Sequence, residues 1–216
     1  MKKRTPDRPI PFERAKGALG AGGSKTIDMQ RDLVERAATG DQVAFESLIR
    51  SSAGRLFATA HRILRDHHLA EDALQATLVT IWDELPRLRD PDRFDAWTYR
   101  LIVRSSIAQA KRERRGGPMV RLLPDEGGPA SDDRDTDAFG RIADRDQLER
   151  GFRRLTPDQR AVLVLQHYNG LSLAEIADVL GIPIGTAGSR IHHATRALRA
   201  AIDADDRLDD PKERTA

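Results

Sequence analysis

The feature that most limits the fold is an interruption. From Asp28 to Arg115, and again from Asp146 to Ile202, apolar residues recur at the three- and four-residue spacing of helices. Between those stretches, residues 116–145 crowd Gly, Pro, Asp and Ser and carry no period. No segment alternates apolar and polar residues for long, so the pattern offers no half-buried strand. The expectation is an all-α chain of two small helical domains, 28–115 and 146–202, joined by a flexible linker. Residues 1–27 are rich in Pro, Gly, Lys and Arg and read as a flexible basic arm. Residues 203–216 read as a frayed acidic tail.

Punctuation within each stretch predicts the helices. Asp41 is a plausible N-cap, with Phe45, Leu48, Ile49, Leu56, Phe57, Ala60, Ile63 and Leu64 at helical spacing behind it. Over 69–85, Leu74, Leu78, Ile81 and Leu85 form one stripe with Trp82 beside it; Pro86 ends that helix. A fourth helix runs from Phe94 to Arg115 and stops at Gly116-Gly117-Pro118. In the second domain Thr156 is an N-cap followed by Pro157 at the first helical position, and Ala161 to Leu165 make that helix apolar on most sides. Ser172 and Glu175 form a capping box, Gly181 supplies a turn, and a last helix covers about Thr186 to Ile202.

Composition excludes several classes. The 216 residues contain no cysteine, which removes disulfide scaffolds and thiolate chemistry. No stretch approaches the roughly 18 apolar residues of a membrane span. The charged N-terminus lacks the apolar core of an export signal, so a cytoplasmic chain is expected. Lys and Arg number 36 against 34 Asp and Glu. Global charge is therefore nearly balanced, and only its distribution can argue for nucleic acid. No phosphate-cradling loop, nucleophile elbow or paired general acid and base is present, so neither an enzyme nor a cofactor is expected. The adjacent pairs His67-His68 and His192-His193 point about 100° apart on a helix and are poorly placed to share a metal ion.

Three helical faces carry polar chemistry. Residues 172–200 form a capped helix, a glycine turn and a longer helix, the helix-turn-helix pattern. On the longer helix Ala187, Ile191, Ala194 and Leu198 share a face that should pack inward. Ser189, His192, His193 and Arg196 lie opposite, flanked by Thr186 and Arg190, a hydrogen-bonding surface suited to phosphates and base edges. On the helix from Phe94, Arg100, Arg104, Lys111 and Arg115 fall within about 60° of arc, extended by Arg112 and Arg114. The same charges would also suit a solvated helix C-terminus. Trp97 precedes the row, and either core packing or base stacking accounts for it. Opposite the leucine stripe of 69–85 lie Asp72, Gln75, Ala76, Val79 and Asp83, small and apolar groups ringed by acids, as on a protein docking face.

Taken together, AEDALQATLVTIWDEL (70–85), FDAWTYRLIVRSSIAQAKRERR (94–115) and LTPDQRAVLVLQHYNGLSLAEIADVLGIPIGTAGSRIHHATRALR (155–199) resemble bacterial RNA polymerase sigma factors of the extracytoplasmic-function type. The resemblance covers about 30–115 and 146–202, and the order and spacing of the parts agree. It implies that residues 28–115 are a sigma domain 2 that binds the clamp of core RNA polymerase and opens the −10 element. Residues 146–202 would be a sigma domain 4 that docks on the polymerase flap and reads the −35 element. By position, Asp72, Gln75, Ala76 and Val79 would meet the clamp. The loop ending at Arg93, with Trp97, would hold an unstacked base, and Arg100, Arg104, Lys111, Arg112 and Arg115 would follow its phosphates. Thr186, Ser189, Arg190, His192, His193 and Arg196 would face the −35 duplex. An anti-sigma factor is a further implied partner. The alternative is a stand-alone helix-turn-helix regulator that binds palindromic operator DNA without polymerase.

Overall fold

The computed structural model describes residues 22–115 and 138–209, with side chains over 29–115 and 146–204. Every regular element among them is helical. The first group comprises α1 (Gly22–Ala38), α2 (Gln42–Leu64), α3 (His67–Glu84) and α4 (Phe94–Arg115). The second comprises α5 (Ala138–Arg154), α6 (Pro157–Leu163), α7 (Leu173–Leu180) and α8 (Ile184–Asp209).

The local signals set the helix starts. The Ala44 N–H donates to Asp41 Oδ1 at 3.0 Å, and the Leu69 N–H donates to Asp66 Oδ1 at 2.8 Å. Each bond satisfies an amide that the first turn leaves without a helical partner. Pro86 turns the chain out of α3 into a short 3-10 turn, and a second one, Pro91–Arg93, leads directly into α4. Val34, Leu48, Leu56, Ile63, Ile81, Leu85, Phe94 and Ile102 fill the core between α1, α2, α3 and α4.

The core-facing side of α3 is centred on small residues. Ala70, Ala73, Thr77 and Ile81 are buried, while Leu74 and Leu78 are only partly so. Small side chains let α3 come close to α4, close enough for Ser105 Oγ to donate to the Ala73 carbonyl at 3.0 Å.

In the second group α5, α6 and α7 all pack on α8. Thr156 and Ser172 both complete capping boxes, with Gln159 and Glu175 respectively reaching back to the cap amides. Gly181 sits at φ 64°, the left-handed conformation that glycine adopts without strain, and the Ile182 N–H returns to the Ala177 carbonyl at 3.0 Å. The tight turn sets α7 against α8, where Ala187 and Ala194 are fully buried.

Three expected boundaries shift. Helix α1 starts at Gly22, within the expected arm 1–27; its buried Val34 and Ala37 pack it against the core. Helix α5 starts at Ala138, within the expected linker 116–145, and α8 continues through the expected tail to Asp209, since no Gly or Pro intervenes before Pro211. The remainder of those three segments lies outside the described residues. Helix α6 also does not run on as a regular helix. It passes into a π-helical turn, Val164–Tyr168, closed by the Asn169 N–H on the Val164 carbonyl at 2.9 Å.

The two groups of helices touch as well. Helix α4 packs against α6 and α7, and α2 packs against α6 and the π-helical turn. Ala161, Leu165, Ile176 and Val179 of the second group join the apolar cluster of the first.

Candidate nucleic-acid interface

Helix α8 presents the face expected of it. Ala187 and Ala194 are buried, Ile191 and Leu198 are partly buried, and Ser189, Arg190, His192, His193 and Arg196 are exposed. Thr186 is half-buried beside them. The Ser189 hydroxyl donates to the Thr186 carbonyl at 3.0 Å, so it still has acceptor capacity for an outside donor. The His192 and His193 ring centroids are 5.9 Å apart and nearly perpendicular, so the two rings address different directions. No group of three metal-ligating side chains converges among the described residues.

The row on α4 divides in two. Arg104, Lys111, Arg112 and Arg115 are exposed, and no ion pair or hydrogen bond engages them among the described residues. Arg93 and Arg100 are both engaged by Asp178 on α7. Arg93 Nη2 lies 2.9 Å from Asp178 Oδ2, and Arg100 Nη2 lies 3.1 Å from Asp178 Oδ1. Arg100 Nη2 also donates to the Asp178 carbonyl. No spacing or motif marks Asp178 as a partner for this row. Trp97 is half-buried, packed against the core with its ring 6.1 Å from that of Phe94. That placement agrees with core packing and leaves part of the ring accessible.

Further contacts cross between the groups. Asn169 Nδ2 donates to Thr59 Oγ1 at 3.0 Å, and the Arg62 guanidinium lies 3.5 Å from the Tyr168 ring centroid. The extra residue of the π-helical turn swings Tyr168 and Asn169 toward α2; no local sequence signal marks such a turn. Arg65 closes α2 at a left-handed φ of 60° and pairs with Glu149 of α5. Burial raises the Tyr99 phenol above its usual range. Burial, with repulsion from Arg65 and Arg114 added, lowers the Arg160 guanidinium to about 10.

Between α4 and the second group lies a cavity of about 350 Å³. Val103, Ile107 and Val162 line it together with Arg104, Lys111, Arg190 and one carboxylate, Asp158. The two cationic faces, one from each group, therefore converge at the edges of one cleft.

The α3 face on which docking was expected reaches solvent. Asp72, Gln75, Ala76 and Val79 all reach solvent, with Val79 62% exposed. Trp82, 44% exposed and edge-on to Phe45 at 4.7 Å, adds an aromatic surface that the sequence reading placed beside the core stripe.

Comparison with known proteins identifies these parts. The family described as Sigma-70 region 2 matches residues 48–116, and Sigma-70 region 4 matches residues 145–198. The ECF RNA polymerase sigma factor SigL of Mycobacterium tuberculosis is 31% identical over 170 residues, covering 78% of this chain and 94% of that protein. The ECF RNA polymerase sigma factor SigE of Mycolicibacterium smegmatis is 32% identical over 75% of this chain, a match that spans 64% of that longer protein. Among solved structures, CnrH in complex with the cytosolic domain of CnrY aligns with a TM-score of 0.56 at 29% identity, over 82% of this chain and 99% of that one. The sigma factor RpoE of Bartonella quintana, solved with the anti-sigma factor NepR, shares the fold at a TM-score of 0.57 and 22% identity, over 74% of this chain and 98% of that one. With both regions matched in order, the chain belongs to the extracytoplasmic-function RNA polymerase sigma factors, the family that directs transcription initiation.

Proposed function

We propose that the chain is a non-catalytic initiation subunit that works in the cytoplasm by giving core RNA polymerase its choice of promoter. The observation that carries the reading is the presentation of two separate cationic faces, one within each matched sigma region. The row Arg93, Arg100, Arg104, Lys111, Arg112 and Arg115 would track the single strand of an opened −10 element, with Trp97 beside the unstacked base. Thr186, Ser189, Arg190, His192, His193 and Arg196 would read the −35 duplex in its major groove. Asp72, Gln75, Ala76 and Val79, with Trp82, would dock on the polymerase clamp. Unstacking a base costs a few kcal/mol, and stacking plus phosphate contacts offset that cost. The domain division proposed with this reading is a sigma domain 2 up to Arg115 and a sigma domain 4 from about residue 146.

We assign a regulatory partner of the anti-sigma kind to the same surfaces, since CnrH is solved with a bound cytosolic partner domain. A stand-alone operator-binding regulator would have no use for the docking face on α3. Transcription from a promoter library with purified core polymerase tests the reading. The expected result is start sites sharing two spaced elements. Binding to palindromic duplex without polymerase, and no initiation with it, would overturn the reading.

A further inference from the structure

One carboxylate holds two members of the arginine row. Arg93, the last residue of the 3-10 turn, and Arg100, in the second turn of α4, lie seven residues apart. Asp178, at the end of α7, reaches Arg93 with one oxygen and Arg100 with the other. The rest of the row and the reading helix are arranged differently. Arg104 and Lys111 face the same cleft as Arg190, three cations with Asp158 as the one carboxylate in its lining. Nearby, Arg65 and Arg114 both repel the buried Arg160. Closure of the two groups therefore gathers positive charge, and Asp178 supplies the counter-charge where α4 meets α7.

We infer that Asp178 is an internal counter-ion that withholds Arg93 and Arg100 from DNA in the free chain and adds to the apolar contact between the two groups of helices. The inference deepens the reading above, on which it rests for the identity of the row as a DNA face. Chemistry supports competition. A guanidinium bound to a carboxylate binds a phosphate oxygen in the same geometry, and a strand offers many phosphates where α7 offers one carboxylate. The contact is also breakable, because the three side chains keep 60%, 38% and 37% of their exposure for Arg93, Arg100 and Asp178. Half-exposed pairs are weak and screened by salt. The free chain would be shut at low salt and open once a larger partner or a polyanion takes the arginines.

The experiment uses the full chain without polymerase. The chain has no cysteine, so dyes placed at Glu46→Cys and Arg199→Cys report the separation of the two groups by energy transfer. High transfer at low salt, falling as salt rises, is expected for the parent. Asp178→Asn and Arg100→Gln should each lower transfer at low salt, Asp178→Asn by more because it also releases Arg93, and the double variant should lower it no further than Asp178→Asn alone. Asp203→Asn, an equal charge change on the exposed side of α8, should behave as the parent. With a 20-nucleotide oligo(dT) strand as the probe, Asp178→Asn should steepen the salt dependence of log K by about 0.7 for each arginine released. Circular dichroism checks that helix content is retained. Transfer and salt slope for Asp178→Asn that match those of Asp203→Asn would overturn the inference. Because transfer is read without polymerase or promoter, that failure would leave the initiation reading standing. A failure of promoter-directed initiation would equally leave the closure measurement intact.

Discussion

Gly151 on α5 faces Ile202 on α8 with no space for a methyl group. A Cβ on Gly151 would lie 2.9 Å from Ile202 Cγ1 and 3.2 Å from Leu198 Cδ1. The two helices are in contact through this glycine, which explains a residue that otherwise weakens a helix interior. Gly151→Ala gains helix propensity of up to about 1 kcal/mol but overpacks the crossing by about 1–3 kcal/mol, so the net expectation is a loss of about 1–2 kcal/mol. Urea denaturation followed by circular dichroism should show a lower midpoint. An unchanged or higher midpoint would mean that α5 and α8 are not held this close.

Gly188 gives the opposite expectation. A Cβ there would meet only Leu173, at 3.8 Å, an ordinary contact. Gly54, within α2, has open space around it. Alanine at either position should therefore stabilise by about 0.5–1 kcal/mol through backbone entropy and helix propensity. The melting temperature should rise for both. A fall for Gly188→Ala alone would show that the start of α8 is not the regular helix described.

These contrasts mark what a sequence carries locally and what only packing decides. The caps at Asp41, Thr156 and Ser172 were legible because each is settled within four residues. The inward face of α8 was legible because Ala187 and Ala194 keep the helical period. On α3 nearly every face has an apolar residue, so periodicity favoured the leucines, while the core took Ala70, Ala73 and Thr77 to admit α4. The start of α1 was hidden because Gly22 and Gly23 carry no helical preference and tertiary packing holds the helix. At the site, the exposed faces of α3 and α8 followed from spacing. The Asp178 contact did not, because its partners lie 78 and 85 residues away.

Asp41 combines a cap with an ion pair, and the two separate with pH. Its carboxylate accepts from the Ala44 N–H and from Arg36 Nη2 at 2.7 Å; the amide bond first, then the arginine, holds its pKa below the usual 3.8. A carboxyl whose pKa is lower in the folded state stabilises fully above the unfolded value, and loses that contribution as pH falls through the folded one. Asn at an N-cap keeps the capping bond but does not titrate. Asp41→Asn should therefore be less stable than the parent at neutral pH, with the difference closing as pH falls through and below the ordinary carboxylate value of 3.8. Thermal melts across that range test it. A difference that stays constant would remove the charge from the account.

The two cationic faces should leave distinguishable marks on salt dependence. Each phosphate contact contributes a slope of about 0.9 in duplex and about 0.7 on a single strand. Arg190→Ala and Arg196→Ala on α8 should each reduce the slope of holoenzyme binding to closed promoter by about 0.9. Arg104→Ala and Lys111→Ala on α4 should leave that step alone and each reduce the slope for a promoter with a pre-melted −10 segment by about 0.7. Arg50→Ala, exposed on α2 outside both faces, is expected to change neither. The comparison requires both templates at four or more salt concentrations, with affinity read by filter binding. If the α4 substitutions altered closed-promoter binding as much as the α8 substitutions did, the division of labour between the faces would be wrong, and the row on α4 would be a second duplex contact.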